Sequence, residues 1–517
     1  MRRRDLNRAA LAWALGCWMQ AGAQGAAGSA PRWSRDPFAL GVASGMPRPD
    51  SVVLWTRLLP GEDDKQAMSP GEPVTVSYEI YSDQALRRLL RRGEVATSAA
   101  RAHSVHVPLQ GLQAGREYWY RFTCGDAVSP VGRTRTAPQS DAPVARLRLA
   151  LASCQHWEQG HYAAHREIAG QELDFVLFVG DYIYEGSSPR YTVRKHTGGV
   201  PHTLDEYRQR HALYKSDPEL QAAHAAHPWV LMWDDHEVVN DYANDRDPRY
   251  SDPALFLKRR AAAYRAYFEH MPLRLPPQGA SMRIHDQLVW GTLAELWTLD
   301  CRQYRSHQAC PDPLRGGGRL VVGCEELADP QRSLLGPAQE RWLHEGLQAS
   351  RRGWKLLAQA TQISPTGLDS PVPGTGRATY TDAWDGYPEA RSRLLQTVAD
   401  AKLQDVVTLG GDVHRHVAAN LRLRPNDMAS PVLASEFVTS SITSQGGPEA
   451  VLSRMRASNP DLVHARADER GYALIELTPQ LMRCDFRATP HPAGADDRLA
   501  TQARFVVEQG KAGVQAA

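Results

Sequence analysis

The sequence predicts an α/β protein preceded by a small antiparallel β-sandwich domain. Three observations predict it. Between Phe38 and Arg135, apolar and polar side chains alternate at period two, with turn residues between the runs. Beyond Arg146 the strand signals become short, almost wholly apolar runs, and stretches with helical spacing separate them. Period-two alternation marks a half-buried antiparallel sheet, whereas continuously apolar strands are buried on both faces and need helices to cover them.

The elements follow in chain order. Arginines at positions 2 to 4, an apolar run from Ala9 to Met19 and a small-residue stretch from Ala21 to Ala27 form an export signal over residues 1–30, of the twin-arginine type. A membrane anchor and a lipid-modified Cys17 are the competing readings of this segment. Residues 36–137 form the β-sandwich domain, with Val52 to Trp55, then Val74, Val76, Tyr78 and Ile80, then Tyr118, Tyr120 and Phe122 as its strands. Tyr118 after Gly111-Leu112-Gln113-Ala114-Gly115 resembles the tyrosine corner of fibronectin-like sandwiches. Thr136 to Pro143 reads as a linker. Residues 146–490 form one large α/β domain. Its strands are Leu147 to Leu151, Phe175 to Val179, Trp229 to Trp233 and Val406 to Leu409. Helices are expected around His161 to Ile168 and over Leu204 to Ala223, Leu255 to Glu269, Pro337 to Ala349 and Glu389 to Lys402. Residues 491–517 are a C-terminal extension, read as a helix closing over the site or as a loose tail.

Composition limits the function. In 517 residues, 60 Lys and Arg face 58 Asp and Glu, a net charge of +2, which argues against a nucleic-acid-binding surface. A hydrophobic fraction of 42% with 23% charged residues is that of an ordinary globular chain and excludes a disordered one. No run in the mature chain approaches the ~20 apolar residues of a membrane span. Export permits disulfides among the seven cysteines. Cys310 and Cys324, flanking Gly316-Gly317-Gly318, are the first candidate pair, and Cys301 with Cys310 competes. The paired CxxC spacing of a zinc site is absent.

Metal-ligand residue types recur where the buried strands end. Cys154 follows one strand, Asp181 a second, Asp234-Asp235-His236 a third and Asp412-Val413-His414 a fourth. That edge is where α/β sheets place their ligands. Thiolate and phenolate, here Cys154 and Tyr184, suit a ferric ion, and carboxylates suit calcium. Cys154 also reads as a buried thiol, and Tyr184 as packing under its loop. Trp384 and Tyr387 flank the pocket or pack their loop, His416 lies on the pocket rim, and Arg415 is solvated. His202, His211, His224 and His227 read as structural.

The ordered series of motifs is similar to that of the PhoD-type alkaline phosphatases and phosphodiesterases, members of the calcineurin-like, purple-acid-phosphatase-like metallophosphoesterases. It runs through Phe38 to Gly45, Ser51 to Arg57, Leu151 to Gln155, Val179 to Glu185, Trp233 to Val238 with Asn240-Asp241, Asp300 to Arg305, Trp384 to Pro388 and Gly411 to His414. The resemblance implies a two-sheet metallophosphoesterase sandwich flanked by helices. It implies Fe3+ at Cys154, Asp181 and Tyr184. It implies Ca2+ bridged by Asp181, with Asp235, Asp412 and His414 as further ligands. Asp234 is a ligand in place of Asp235 or a neighbour that supports the ligands. His236 faces the phosphate, and Arg302 contacts the substrate phosphate or forms a structural salt bridge. Cys301 departs from the small hydroxyl residue usual at its position, and a disulfide there would alter the pocket rim.

The implied enzyme is a secreted or periplasmic, metal-dependent alkaline phosphatase acting on monoesters and diesters. Its nucleophile is a metal-bound hydroxide, with no phospho-enzyme. Its partners are a small phosphate ester and the export machinery; no nucleic acid is expected, and the chain is expected to be a monomer. A phosphodiesterase of phospholipase-D-like kind is the nearest alternative. An inactive secreted binding protein and a haem or redox iron protein are the others.

Overall fold

The computed structural model describes residues 31–67, 72–190, 192–370, 372, 374 and 376–517. The segment expected to be an export signal, with Cys17, lies outside them. Two large sheets are stacked face to face. The first has ten strands, in the order Gln515–Ala516, Ala500–Glu508, Leu481–Pro490, Glu469–Leu477, Leu147–Ala152, Phe175–Phe178, Pro228–Leu231, Val42–Gly45, Val52–Arg57 and Ser104–Leu109. The second has seven, in the order Asp286–Trp290, Ala294–Thr298, Trp354–Ala358, Val406–Gly410, Val432–Val438, His416–Arg422 and Leu462–Arg466.

The continuously apolar strands explain this layering. Leu147, Leu149, Leu151, Phe175, Leu177 and Val179 point inward and meet Leu356, Ala358, Val407, Leu409 and Phe437 of the second sheet. Their alternate neighbours Ala150, Ala152, Val176 and Phe178 face the other way, into a core with the helices Ala163–Gly170, Leu204–Lys215, Pro218–Ala226 and Pro253–His270. The helices Pro337–Ala349 and Pro388–Asp400 cover the outer face of the second sheet, through Leu343, Leu347, Leu394 and Leu395 against Trp297 and Leu357. Each buried strand thus feeds two cores, which is why neither face can be polar.

In the N-terminal part, the sheet built on Leu89–Thr97, Val74–Tyr81 and Glu117–Cys124 packs Val76, Ile80, Tyr120 and Phe122 against Val52, Leu54, Val105 and Val107. The second layer of this sandwich is the edge of the ten-stranded sheet itself, because Val42–Gly45 pairs in parallel with Pro228–Leu231. The tyrosine corner is present: the Tyr118 hydroxyl accepts from the Gln113 N–H at 2.8 Å and donates to its carbonyl at 3.1 Å.

Two expectations are corrected. The helix expected over Leu204 to Ala223 is two helices. Pro218 cannot continue the first, and the Asp217 carboxylate caps the second by accepting from the N–H groups of Glu219 and Leu220 at 2.9 and 3.2 Å. The C-terminal segment is neither a helix over the site nor a loose tail. It supplies the strands Ala500–Glu508 and Gln515–Ala516, and Phe505, Val507 and Val514 enter the inter-sheet core. Of the candidate disulfides, Cys310–Cys324 forms; Cys301 is a buried free thiol. Among the described residues no helix is long and apolar enough to cross a membrane.

Candidate active site

Strand ends from both sheets deliver the site. Cys154, Asp181, Asp412 and His414 all adopt left-handed backbone, with φ of 59°, 57°, 62° and 51°. Such angles are costly for side-chain-bearing residues and gather where the surroundings impose them, often at functional sites. Gly180 lets two of the loops meet: a Cβ on it would lie 2.6 Å from the Asp234 Cβ and 2.8 Å from the Asp234 nitrogen. Glu237 ties the same loops, its two oxygens accepting from the N–H groups of Tyr182 at 2.6 Å and Asp234 at 2.9 Å.

Cys154, Asp181 and His414 bring ligand atoms within 4.8 Å of one another. Tyr184 joins them: its hydroxyl lies 2.8 Å from Asp181 Oδ2 and 3.0 Å from His414 Nε2, and accepts from Ser444 Oγ at 2.8 Å. His414 Nδ1 sits 2.9 Å from the Gln445 carbonyl. A carbonyl only accepts, so Nδ1 carries the proton and Nε2 offers its lone pair. Burial pushes the Cys154 thiol and the Tyr184 phenol up, each reinforced by Asp181, and pushes His414 down to about 3.

A second group comprises Asp181, Asp235 and His236, and a third Asp235, Asp241 and Asp382. The third is laced with guanidinium groups. Arg302 is 2% exposed and holds Asp234 through Nε and through Nη2 at 2.9 Å, Asp382 through Nη1 at 2.7 Å, and lies 3.5 Å from Asp235. Arg305 pairs with the other Asp382 oxygen. Asp235 Oδ2 accepts from the Asp241 N–H at 2.6 Å, and Asp241 Oδ2 from the Gly318 N–H at 2.9 Å. His236 Nδ1 lies 2.6 Å from Glu185 Oε2, and its ring 4.1 Å from that of Tyr184. Burial opposes its charge, but Glu185, Asp235 and Asp181 push its pKa well up.

The donor set fits metal ions. Asp181 Oδ1 and Asp235 Oδ1 are buried without a hydrogen-bond partner, a costly state for a carboxylate unless a cation completes it. Asp412 accepts from Thr361 Oγ1 at 2.7 Å and, after burial, is pushed up by Asp234. Asp234 stands apart from the three donor groups, with both oxygens on Arg302.

Sequence alone gives no sign of Asp382, Thr361, Ser444 and Gln445, and the motifs contain Glu237, Asp241 and Glu185 without assigning them roles. Asp241 and Glu185 stood beside motif residues and could have been found. Asp382 sits on a loop with no periodic signal. His416 is fully buried, stacked 4.4 Å from Phe486, and is not on the pocket rim. Arg415 is half-buried and donates to Gln362 Oε1 at 2.8 Å instead of standing in solvent. Trp384 and Tyr387 pack their loop, donating to Gln359 Oε1 at 3.1 Å and the Ser306 carbonyl at 2.6 Å.

Comparison with known proteins decides the family. The model of the PhoD-like phosphatases matches residues 149–486, and that of their N-terminal domain matches residues 23–138. The chain belongs to the PhoD-like phosphatase family. It is 40% identical over 498 residues to alkaline phosphatase D of Bacillus subtilis (strain 168), covering 94% of this chain and 83% of that protein. A solved structure of PhoD superposes with a TM-score of 0.89 at 40% identity, covering 94% of this chain and 93% of the other. This PhoD-like chain is a phosphoric ester hydrolase, a phosphatase or phosphodiesterase.

Proposed function

We propose that the protein is an exported, metal-dependent alkaline phosphatase that cleaves phosphate monoesters and diesters by direct displacement at phosphorus. The observation that carries this reading is the convergence of Cys154, Asp181, Tyr184 and His414 beside the partnerless buried oxygens of Asp181 and Asp235. Thiolate, phenolate, carboxylate and imidazole suit Fe3+, and the all-oxygen set of Asp235, Asp241 and Asp382, with Asp412 nearby, suits Ca2+. When bound, such ions polarise phosphoryl oxygens and acidify a water.

The chain's own residues supply the rest. Glu185 fixes His236 through Nδ1 and favours its protonated form, leaving Nε2 to give a proton to the departing alkoxide. Arg302 is enclosed by Asp234, Asp235 and Asp382, so we assign it to positioning these carboxylates, with Asp234 as its anchor and not a ligand. Glu237 holds the Asp181 and Asp234 loops in register. The arginines at positions 2 to 4 and the apolar run after them support export to the periplasm or beyond.

Cys154→Ser tests the first group. Iron content measured by elemental analysis is expected to collapse together with turnover, and unchanged iron would remove Cys154 from the ligand set. Hydrolysis of a chiral phosphorothioate ester is expected to invert configuration at phosphorus; retention would mean a phospho-enzyme.

A further inference from the structure

The ribbon beside the carboxylates has an unusual surface. The strands Leu320–Val321, Arg377–Tyr380 and Leu368–Asp369 form a small sheet, whose first strand lies within the segment closed by the Cys310–Cys324 disulfide. Leu320 pairs directly with Tyr380, and directly opposed residues of an antiparallel pair share a face. That face turns outward: Leu320 is 57% exposed and Tyr380 38%, with Val322, two residues on, also 57% exposed. The opposite face carries Val321, which is buried. A ribbon at a protein surface ordinarily turns polar side chains outward, so an outward face of Leu320, Val322 and Tyr380 is out of the ordinary.

The face runs into the active site. A Cβ built on Gly318 would lie 2.5 Å from the Asp382 Cβ and 2.7 Å from both Cζ and the hydroxyl of Tyr380. The same loop donates the Gly318 N–H to Asp241. Tyr380 is therefore a member of the exposed apolar face and an immediate neighbour of the Asp241 and Asp382 carboxylates. A group on this face would lie beside the carboxylates at which the proposed reaction takes place, so the occupant that fits is the ester itself and not a separate partner.

We propose that the ribbon is a platform for the alcohol part of the substrate, and that the enzyme favours esters whose alcohol carries a flat aromatic ring, which lies on Tyr380 and Leu320 while the phosphoryl group sits at the carboxylates. This rests on the phosphoesterase reading above and names its substrate class. Tyr380 contributes a ring face, and Leu320 and Val322 extend it with aliphatic surface, so the recognition is by shape and burial and not by charge.

The test uses holoenzyme and non-hydrolysable phosphonates as competitive inhibitors. Wild-type enzyme is expected to bind phenylphosphonate roughly tenfold more tightly than methylphosphonate. Tyr380→Ala is expected to bring that ratio close to one, Leu320→Ser to reduce it a few-fold, and Tyr380→Phe to preserve it. Leu320 is largely exposed, so its replacement leaves the fold intact and isolates the surface effect. A ratio near one in the wild type, or a ratio untouched by Tyr380→Ala, overturns the platform. If octylphosphonate binds as tightly as phenylphosphonate and ignores Tyr380→Ala, the commitment to a ring is overturned. Enzyme that hydrolyses esters yet binds the two phosphonates equally overturns this inference alone. Enzyme that hydrolyses no ester and binds neither phosphonate overturns the phosphoesterase reading as well.

Discussion

The group around Cys154 and the group around Asp382 lie side by side and manage their charge in opposite ways. In the first, no guanidinium pairs with a donor atom, and the hydrogen-bond partners from outside the group are neutral: the Ser444 hydroxyl serves Tyr184 and the Gln445 carbonyl serves His414. Burial, against the pull of His236 and with like charge from Asp235 and Asp234, pushes Asp181 up, and Cys154 and Tyr184 are pushed up as well. In the second, burial also opposes ionisation, but Arg302 and Arg305 hold Asp382 below the usual carboxylate range. Asp241 has no guanidinium of its own and is pushed up to about 7 by burial and by Asp382. The difference teaches that the first group depends on a cation to draw its donors into the charged form, whereas the second comes with part of its compensation built into the protein.

Asp181→Asn is the largest challenge to this contrast, because Asp181 belongs to the first group and also joins Asp235 and His236. Ester hydrolysis is expected to fall by on the order of a thousandfold, and both iron and calcium contents by elemental analysis should drop. Loss of one metal alone would show that Asp181 does not link the groups.

Arg302→Met attacks only the second group. It strands Asp234 as a buried unpaired charge and leaves Asp382 to Arg305 alone, and a loss of about 3–5 kcal/mol of stability is expected, read as a lower melting temperature by calorimetry. Iron retention should be nearly unaffected. An unchanged melting temperature would mean that the guanidinium does not hold these carboxylates in place.

The smallest expected effect comes from Cys310→Ser combined with Cys324→Ser. The bridge closes the loop that presents the Gly318 N–H to Asp241, so calcium affinity should weaken by roughly tenfold while iron stays bound. Calorimetric titration of the iron-loaded protein with calcium measures it, and an unaltered isotherm would show that the loop holds its shape without the bridge.

Much of this was legible in the chain. The apolar strands and the ligand-type residues just past their ends are local features, so Cys154, Asp181, Tyr184, Asp412 and His414 could be picked out by position alone. Asp382 could not, because it reaches the site through Arg302, 80 residues away in the chain, on a loop without periodicity. The same limit explains why Arg302 read equally well as a substrate contact and as a salt bridge: only its enclosure by three carboxylates decides. The C-terminal segment failed for a different reason. Ala500–Glu508 pairs with the strand just before it, Leu481–Pro490, but its first five residues mix polar and apolar side chains without a clear period, so little in the local sequence marks it as a strand.

The sequence by itself determined the layering of the molecule and the chemistry offered at its strand ends, because hydrophobic period and residue type are properties of neighbours along the chain. Tertiary structure decided which carboxylates share a site, which are neutralised by arginine and which buried oxygens are left without a partner. Those outcomes depend on charge and burial summed over segments that meet only in the folded protein.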